Sequence, residues 1–222
     1  MTIATPRLVR VPAAERGITI GDFLVPVRMG ERMSSRVRHA GLVVLGALLI
    51  ALTANVVFPI PGTPVPVTGQ TFGVLVVGSA LGFRRGIMAA ALYLVLGVVG
   101  LPVYAGHASG MDTFGSLEGG IHLAPTGGYL VGFAVAAGLV GRLAELGWDR
   151  TPGGAVAAMT LGTLAIYAVG VPWLAVSLEV PLGEAVMLGV APFLLGDILK
   201  VVLSAGTLRA SWWLIDRRST DR

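Results

Sequence analysis

Six apolar segments, near residues 40–58, 69–83, 86–104, 125–146, 153–173 and 192–214, take up most of this 222-residue chain. Most approach the roughly 20 residues that a helix needs to cross a bilayer. Composition agrees. Hydrophobic residues make up 55% of the chain and charged residues 13%, where a soluble domain carries about 25% charged residues. Mean hydropathy is +0.82. The pattern predicts an all-α integral membrane protein with six transmembrane helices.

Arginine sets the orientation. With the N-terminus inside, every inner connection carries it: Arg84 and Arg85, then Arg142 and Arg150, then Arg209, Arg217 and Arg218. The outer connections, near 59–68, 105–124 and 174–191, contain no Lys or Arg and hold Asp112, Glu118, Glu179 and Glu184. This positive-inside pattern makes both termini cytoplasmic and the chain a multi-pass protein of the cell membrane. Trp148, Trp212 and Trp213 fall at inner ends and Trp173 at an outer end, as an interfacial belt requires. The pI of about 10.1 therefore follows from topology and does not point to nucleic acid.

Three regions follow. Residues 1–39 are a polar, Arg-rich cytoplasmic arm of little periodicity, with disorder as one reading. Residues 40–215 are the six-helix membrane domain, and 216–222 a cytoplasmic tail. Met29 and Met33 stand just before the first span, so translation starting there, with residues 1–28 an overextension, is a second reading of the arm.

Several chemistries are not expected. The chain has no cysteine, hence no disulfide framework or thiolate metal site. His39, His107 and His122 are scattered, without metal-ligand spacing. No histidine sits in a span beside a serine, as an intramembrane protease would need, and Asp197 is the only carboxylate expected to be buried, too few for a metal-dependent phosphotransferase. No Gly-rich loop precedes Lys200, so no phosphate-binding lysine motif is present. Neither an enzyme nor a resident cofactor or metal is expected.

Asp197 and Lys200 are the most telling polar residues. They lie three apart in the otherwise apolar run 191–203, and Lys200 is the only lysine in the chain. Each costs a few kcal/mol inside a membrane, so such groups are retained for a partner or a passenger. At i, i+3 they share one helix face. Pro192 suits the first turn of the last helix, which puts Asp197 about 7 Å below the start at 1.5 Å per residue, in the outer third of the bilayer. An ion pair without ligand and a polar clamp for a small amphipathic molecule are the two readings.

Other groups converge on the same outer mouth. The run 59–70 contains four prolines, Pro59, Pro61, Pro64 and Pro66. It cannot be helical, and such backbone at membrane depth survives only over a protein-lined cavity, so it is expected to fold as a lid. Gln70 opens the second helix, as an N-terminal cap or as a contact at the lid's edge. Thr126, Gly127, Gly128 and Tyr129 open the fourth helix. Free N–H groups there would suit an anion, while Gly128 and Gly132 equally suit close helix packing. Tyr104 ends the third segment beside them. Residues 182–189, bearing Glu184, read as a short interfacial helix. On the first helix Ala47 and Ala51 stand four apart, spaced for close approach of another helix, inside the bundle or outside it.

The runs 65–73, 81–86, 100–106, 125–133 and 192–200 together resemble the BioY family, the biotin-binding S components of energy-coupling-factor (ECF) transporters. They appear in family order, across roughly residues 40–215. The resemblance implies an S-component-type bundle with an outward-facing site. It also implies three kinds of partner: biotin, a transmembrane coupling subunit, and ATP-binding cassette ATPases. Ala47 and Ala51 match the pattern by which such proteins are thought to meet the coupling subunit. For biotin, Asp197 would take a ureido N–H and Lys200 the ureido carbonyl, with Tyr104 and Tyr129 as walls. Thr126, Gly127, Gly128 or Gln70 would serve the carboxylate. An S component for another small vitamin is the alternative. The chain departs from the family pattern in the length of its 1–39 arm and in the loop 107–123.

Overall fold

The computed structural model describes residues 18–24, 34–116 and 122–220, and a helix occupies each of the six apolar segments. Their limits follow local chemistry more than hydropathy. After a short helix α1 (Ile20–Leu24), α2 (Ser35–Ala54) begins five residues before the apolar stretch does, because the Ser34 hydroxyl accepts the Val37 N–H at 3.4 Å and caps the helix. Arg36, Arg38 and His39 therefore ride on its first turns. It ends at Asn55, short of the expected 58, where the chain turns into β1 (Val57–Phe58).

β1 pairs antiparallel with β2 (Val67–Thr68), Val57 opposite Thr68 and Phe58 opposite Val67. The two strands pin the base of the proline-rich run, which is non-helical as its prolines require. Helix α3 (Gln70–Leu81) and helix α4 (Phe83–Val98) meet at Gly82 alone, not over the expected connection at residues 84–85. Gly82 has φ +82°, a conformation open to glycine at little cost. The Phe83 N–H donates to Glu145 Oε1 at 2.9 Å. Arg84 and Arg85 thus fall in the first turn of α4 instead of a connection.

Beyond a loop with a second two-stranded ladder, β3 (Gly115–Ser116) and β4 (His122–Leu123), three helices complete the bundle. Helix α5 (Gly127–Glu145) lies at its centre, against α3, α4 and α6 (Pro152–Leu178). α6 starts with Pro152 in its first turn and Thr151 as its cap, and runs through Pro172 for 27 residues, five beyond the expected 173. The short helix α7 (Leu182–Gly189) is where residues 182–189 predict it. α8 (Leu194–Thr220) follows a tight turn over Ala191–Phe193.

Among the described residues, the stretches Ser35–Ala54, Gly127–Glu145, Pro152–Leu178 and Leu182–Arg217 are long and apolar enough to cross a membrane. α3 and α4, with 12 and 16 residues, reach only about 18 and 24 Å. The outward surface is apolar, with Leu45, Leu52, Leu195 and Ile198 each more than 60% exposed, as a lipid-facing surface would be.

Part of the arm is built into this bundle. Thr19 and Ile20 are buried. Asp22 pairs with Arg85 at 2.9 Å, Arg85 also donates to Thr19 Oγ1, and Arg150 donates to the Ile18 carbonyl at 3.1 Å. The Phe23 ring meets Trp212 edge-on at 6.0 Å. Residues 18–24 are therefore a strap across the arginine-bearing ends of the helices, not a structureless tail. The remaining arm up to residue 17, and Met29 and Met33 with the start-site reading they raise, lie outside the described residues.

Candidate functional site

Apolar helices can hold a carboxylate and an amine only where other polar groups complete them. Asp197, in the first turn of α8, is 8% exposed. Its Oδ1 accepts from Lys200 Nζ at 3.1 Å, and its Oδ2 accepts the hydroxyl of Tyr167 from the middle of α6. The cluster is a shallowly buried ion pair with a third donor. It faces a cavity of about 150 Å³ enclosed by α3, α5, α6, α8 and the lid.

Six of the eight anticipated substrate residues line that cavity: Asp197, Lys200, Tyr129, Gln70, Thr126 and Tyr104. Gln70 is held from two sides. Its side-chain oxygen accepts from Thr68 Oγ1 at 3.0 Å, and its amide donates to the Tyr93 hydroxyl. Tyr104 is 1% exposed and donates to the Leu94 carbonyl at 2.6 Å, with its ring edge against Tyr93 at 5.5 Å. Tyr129 donates to the Gly189 carbonyl at 3.0 Å and meets Tyr167 edge-on at 6.4 Å. Both phenol hydroxyls are taken up by backbone carbonyls, and both residues line the cavity. The lid contributes Val65, Pro66 and Val67 to the wall.

Gly127 and Gly128 are placed differently from the expectation of an anion site. A methyl built on Gly127 would come within 2.9 Å of the Trp173 indole, and one built on Gly128 would overlap Trp173 outright. The indole N–H donates to the Ala124 carbonyl at 2.9 Å, and the same carbonyl accepts the Gly127 N–H at 3.2 Å. The two glycines thus give a tryptophan room to lie across the start of α5, and neither lines the cavity. Gly132 packs likewise on the Ile166 backbone, so the close-packing reading of this run holds.

Ala47 and Ala51 also turn inward. Ala47 is fully buried in the core and Ala51 is half-buried against it. Gly46 beside them has its Cβ direction filled by Val77, Leu81 and Ala89. The small residues of α2 serve the bundle, and the outward face of the helix is instead Leu45, Leu48 and Leu52.

Tyr167, Thr163 and Ile166 on α6 and Phe133 on α5 also line the cavity, and the sequence reading passes over them. For Tyr167 a signal exists. The chain has only four tyrosines, and a phenol in mid-span needs a polar partner. The partner itself, 30 residues away, cannot be read from spacing.

Residues 29–217 match the BioY family. Among similar proteins, the "Biotin transporter BioY" of Rhizobium etli is 34% identical over 166 residues, covering 72% of this chain and 84% of its own length. The "Probable biotin transporter BioY" of Pyrococcus horikoshii is 37% identical over 157 residues, 70% of this chain and 86% of its own. A solved structure, described as the S-component for biotin from an ECF-type ABC transporter, superposes with a TM-score of 0.69 at 25% identity, covering 80% of this chain and 93% of that one. The strap Ile20–Leu24 lies ahead of the matched region. The chain belongs to the BioY family.

Proposed function

We propose that this protein is the substrate-binding S component of a biotin uptake system, holding biotin in the cavity under its lid. The observation that carries the reading is the Asp197–Lys200–Tyr167 cluster facing that cavity, in a chain whose relatives are biotin transporters. The ureido group of biotin has two N–H donors and one carbonyl acceptor. A carboxylate with further lone pairs and an ammonium with further protons are its complement, and charge-assisted bonds are the stronger kind. The tyrosine rings suit the bicyclic body. The hydroxyls of Thr126, Thr71 and Thr113, which also line the cavity, are the donors left for the valerate carboxylate.

The rest of the assembly follows as part of the same proposal. Six helices cross the plasma membrane with both termini inside, α3 and α4 spanning with the help of the backbone that flanks them. A transmembrane coupling subunit and ATP-binding cassette ATPases supply the energy. The outward leucine face of α2 is where the coupling subunit meets the chain, in place of Ala47 and Ala51. The test is isothermal calorimetry of the purified full chain with biotin, in competition with other vitamins. Saturable binding with a Kd in the nanomolar-to-micromolar range, undisturbed by the competitors, supports it. No heat with biotin, or tighter binding of another vitamin, overturns it.

A further inference from the structure

A second cavity, of about 940 Å³, opens at the arginine-bearing end between α1, α2, α4 and α5. Four arginines reach it against two carboxylates. Arg85 is paired with Asp22 and Arg142 with Glu145, each at 2.9 Å. Arg36 on α2 and Arg84 on α4 are exposed and have no hydrogen bond or ion-pair partner among the described residues, and His39 stands on the next turn from Arg36. Two guanidinium groups on different helices thus face one cleft with their donors unfilled. The floor is apolar: Val43 and Leu81 are buried, and Phe83 and Met88 open outward at 43% and 57% exposure.

We propose that this cleft binds the anionic headgroup of a membrane phospholipid, with Arg36 and Arg84 on the phosphate and an acyl chain along Phe83 and Met88. Guanidinium forks match phosphate oxygens in pairs, and basic pockets between spanning helices are suited to anionic headgroups. A small soluble anion would fill the charge and leave the apolar floor uncovered. A lipid covers both. The proposal rests on the chain spanning a membrane and is independent of biotin as the substrate.

Native mass spectrometry of the full chain in detergent tests it, with phosphatidylglycerol, phosphatidylcholine and soluble glycerol phosphate as probes. The wild-type chain is expected to retain phosphatidylglycerol over phosphatidylcholine by roughly tenfold or more. The double variant Arg36→Gln/Arg84→Gln should lose that preference while binding biotin as before, which shows an intact fold. Equal retention of the two lipids by the wild-type chain, or an unchanged preference in the double variant, overturns the proposal. Displacement of the lipid by glycerol phosphate would assign the cleft to a soluble anion. Unchanged lipid retention with loss of a co-purifying protein would assign it to a protein partner. Either result contradicts the lipid.

Discussion

Tyr167 donates its hydroxyl to the Asp197 carboxylate, joining the middle of α6 to the first turn of α8. The carboxylate is therefore held from both sides, by Tyr167 on one oxygen and by Lys200 on the other. Its position is fixed before any ligand arrives, which lowers the ordering cost of binding.

Tyr167→Phe keeps the ring against Tyr129 and removes only the hydroxyl. Hydrogen bonds to charged groups contribute about 1.5–3 kcal/mol, but the carboxylate keeps Lys200. We expect biotin affinity to fall roughly tenfold with little change in melting temperature. Calorimetry beside a thermal melt checks this. An affinity equal to wild type would mean that Tyr167 does not position the site.

Gly128→Ala separates packing from binding. The added methyl overlaps Trp173, and overpacking of this kind costs about 1–3 kcal/mol. The variant should melt at a lower temperature. If Gly128 instead served the ligand through its N–H, an alanine, which keeps that N–H, would leave the melt unchanged.

Two carboxylates at the arginine-bearing end respond to pH with opposite sign. Burial raises the Asp22 pKa, but the hydrogen bonds from Arg85 and Thr19 outweigh it and hold the group below the ordinary 3.8. A lowered folded-state pKa stabilises above the unfolded value, and the contribution is lost as pH falls through the folded one. Asp22→Asn should therefore lower stability at neutral pH, by about 1 kcal/mol or less for a half-buried pair that solvent still screens, and flatten the loss in acid. Asp149, in the Trp148–Arg150 turn, is raised by burial, although Trp212 Nε1 donates to it at 2.7 Å. Its protonated form is favoured on folding. That contribution is full below the unfolded value and lost as pH rises through the folded one. Asp149→Asn should keep the Trp212 contact and melt no lower than wild type at neutral pH. Thermal melts from pH 3 to 8 distinguish the two, and parallel profiles for both variants would contradict these assignments.

Topology is open to cysteine labelling, since the chain has no cysteine of its own. Gly183 on α7 and Gly153 at the start of α6 both have open space where a side chain would go. With α6 crossing the membrane, Gly183→Cys should react with an impermeant maleimide from outside. Gly153→Cys should react only after permeabilisation. Labelling of both from the same side would refute the proposed orientation.

Much of the helical architecture is legible in the chain because long apolar runs are coarse, one-dimensional signals. Prolines at 59–66 and the 182–189 run declare themselves for the same reason. The i, i+3 spacing of Asp197 and Lys200 suffices to pair them. What escapes the sequence is pairing between segments. Trp173 lies 45 residues from the glycine it covers, Tyr167 is 30 from Asp197, and Arg85 is 63 from Asp22. A glycine pair at a helix start suits an anion or an indole equally well, and only the neighbour decides. The inward turn of Ala47 is of that kind. Its spacing shows that something packs closely there, not what.

The central claim is that the Asp197 carboxylate grips the ligand's head. Calorimetry of the full-length Asp197→Asn variant with biotin tests it most directly, with the melting temperature measured alongside. The account predicts a folded protein whose affinity falls by roughly 10- to 100-fold, the loss of one charge-assisted hydrogen bond. A folded variant that binds biotin as tightly as wild type would contradict it.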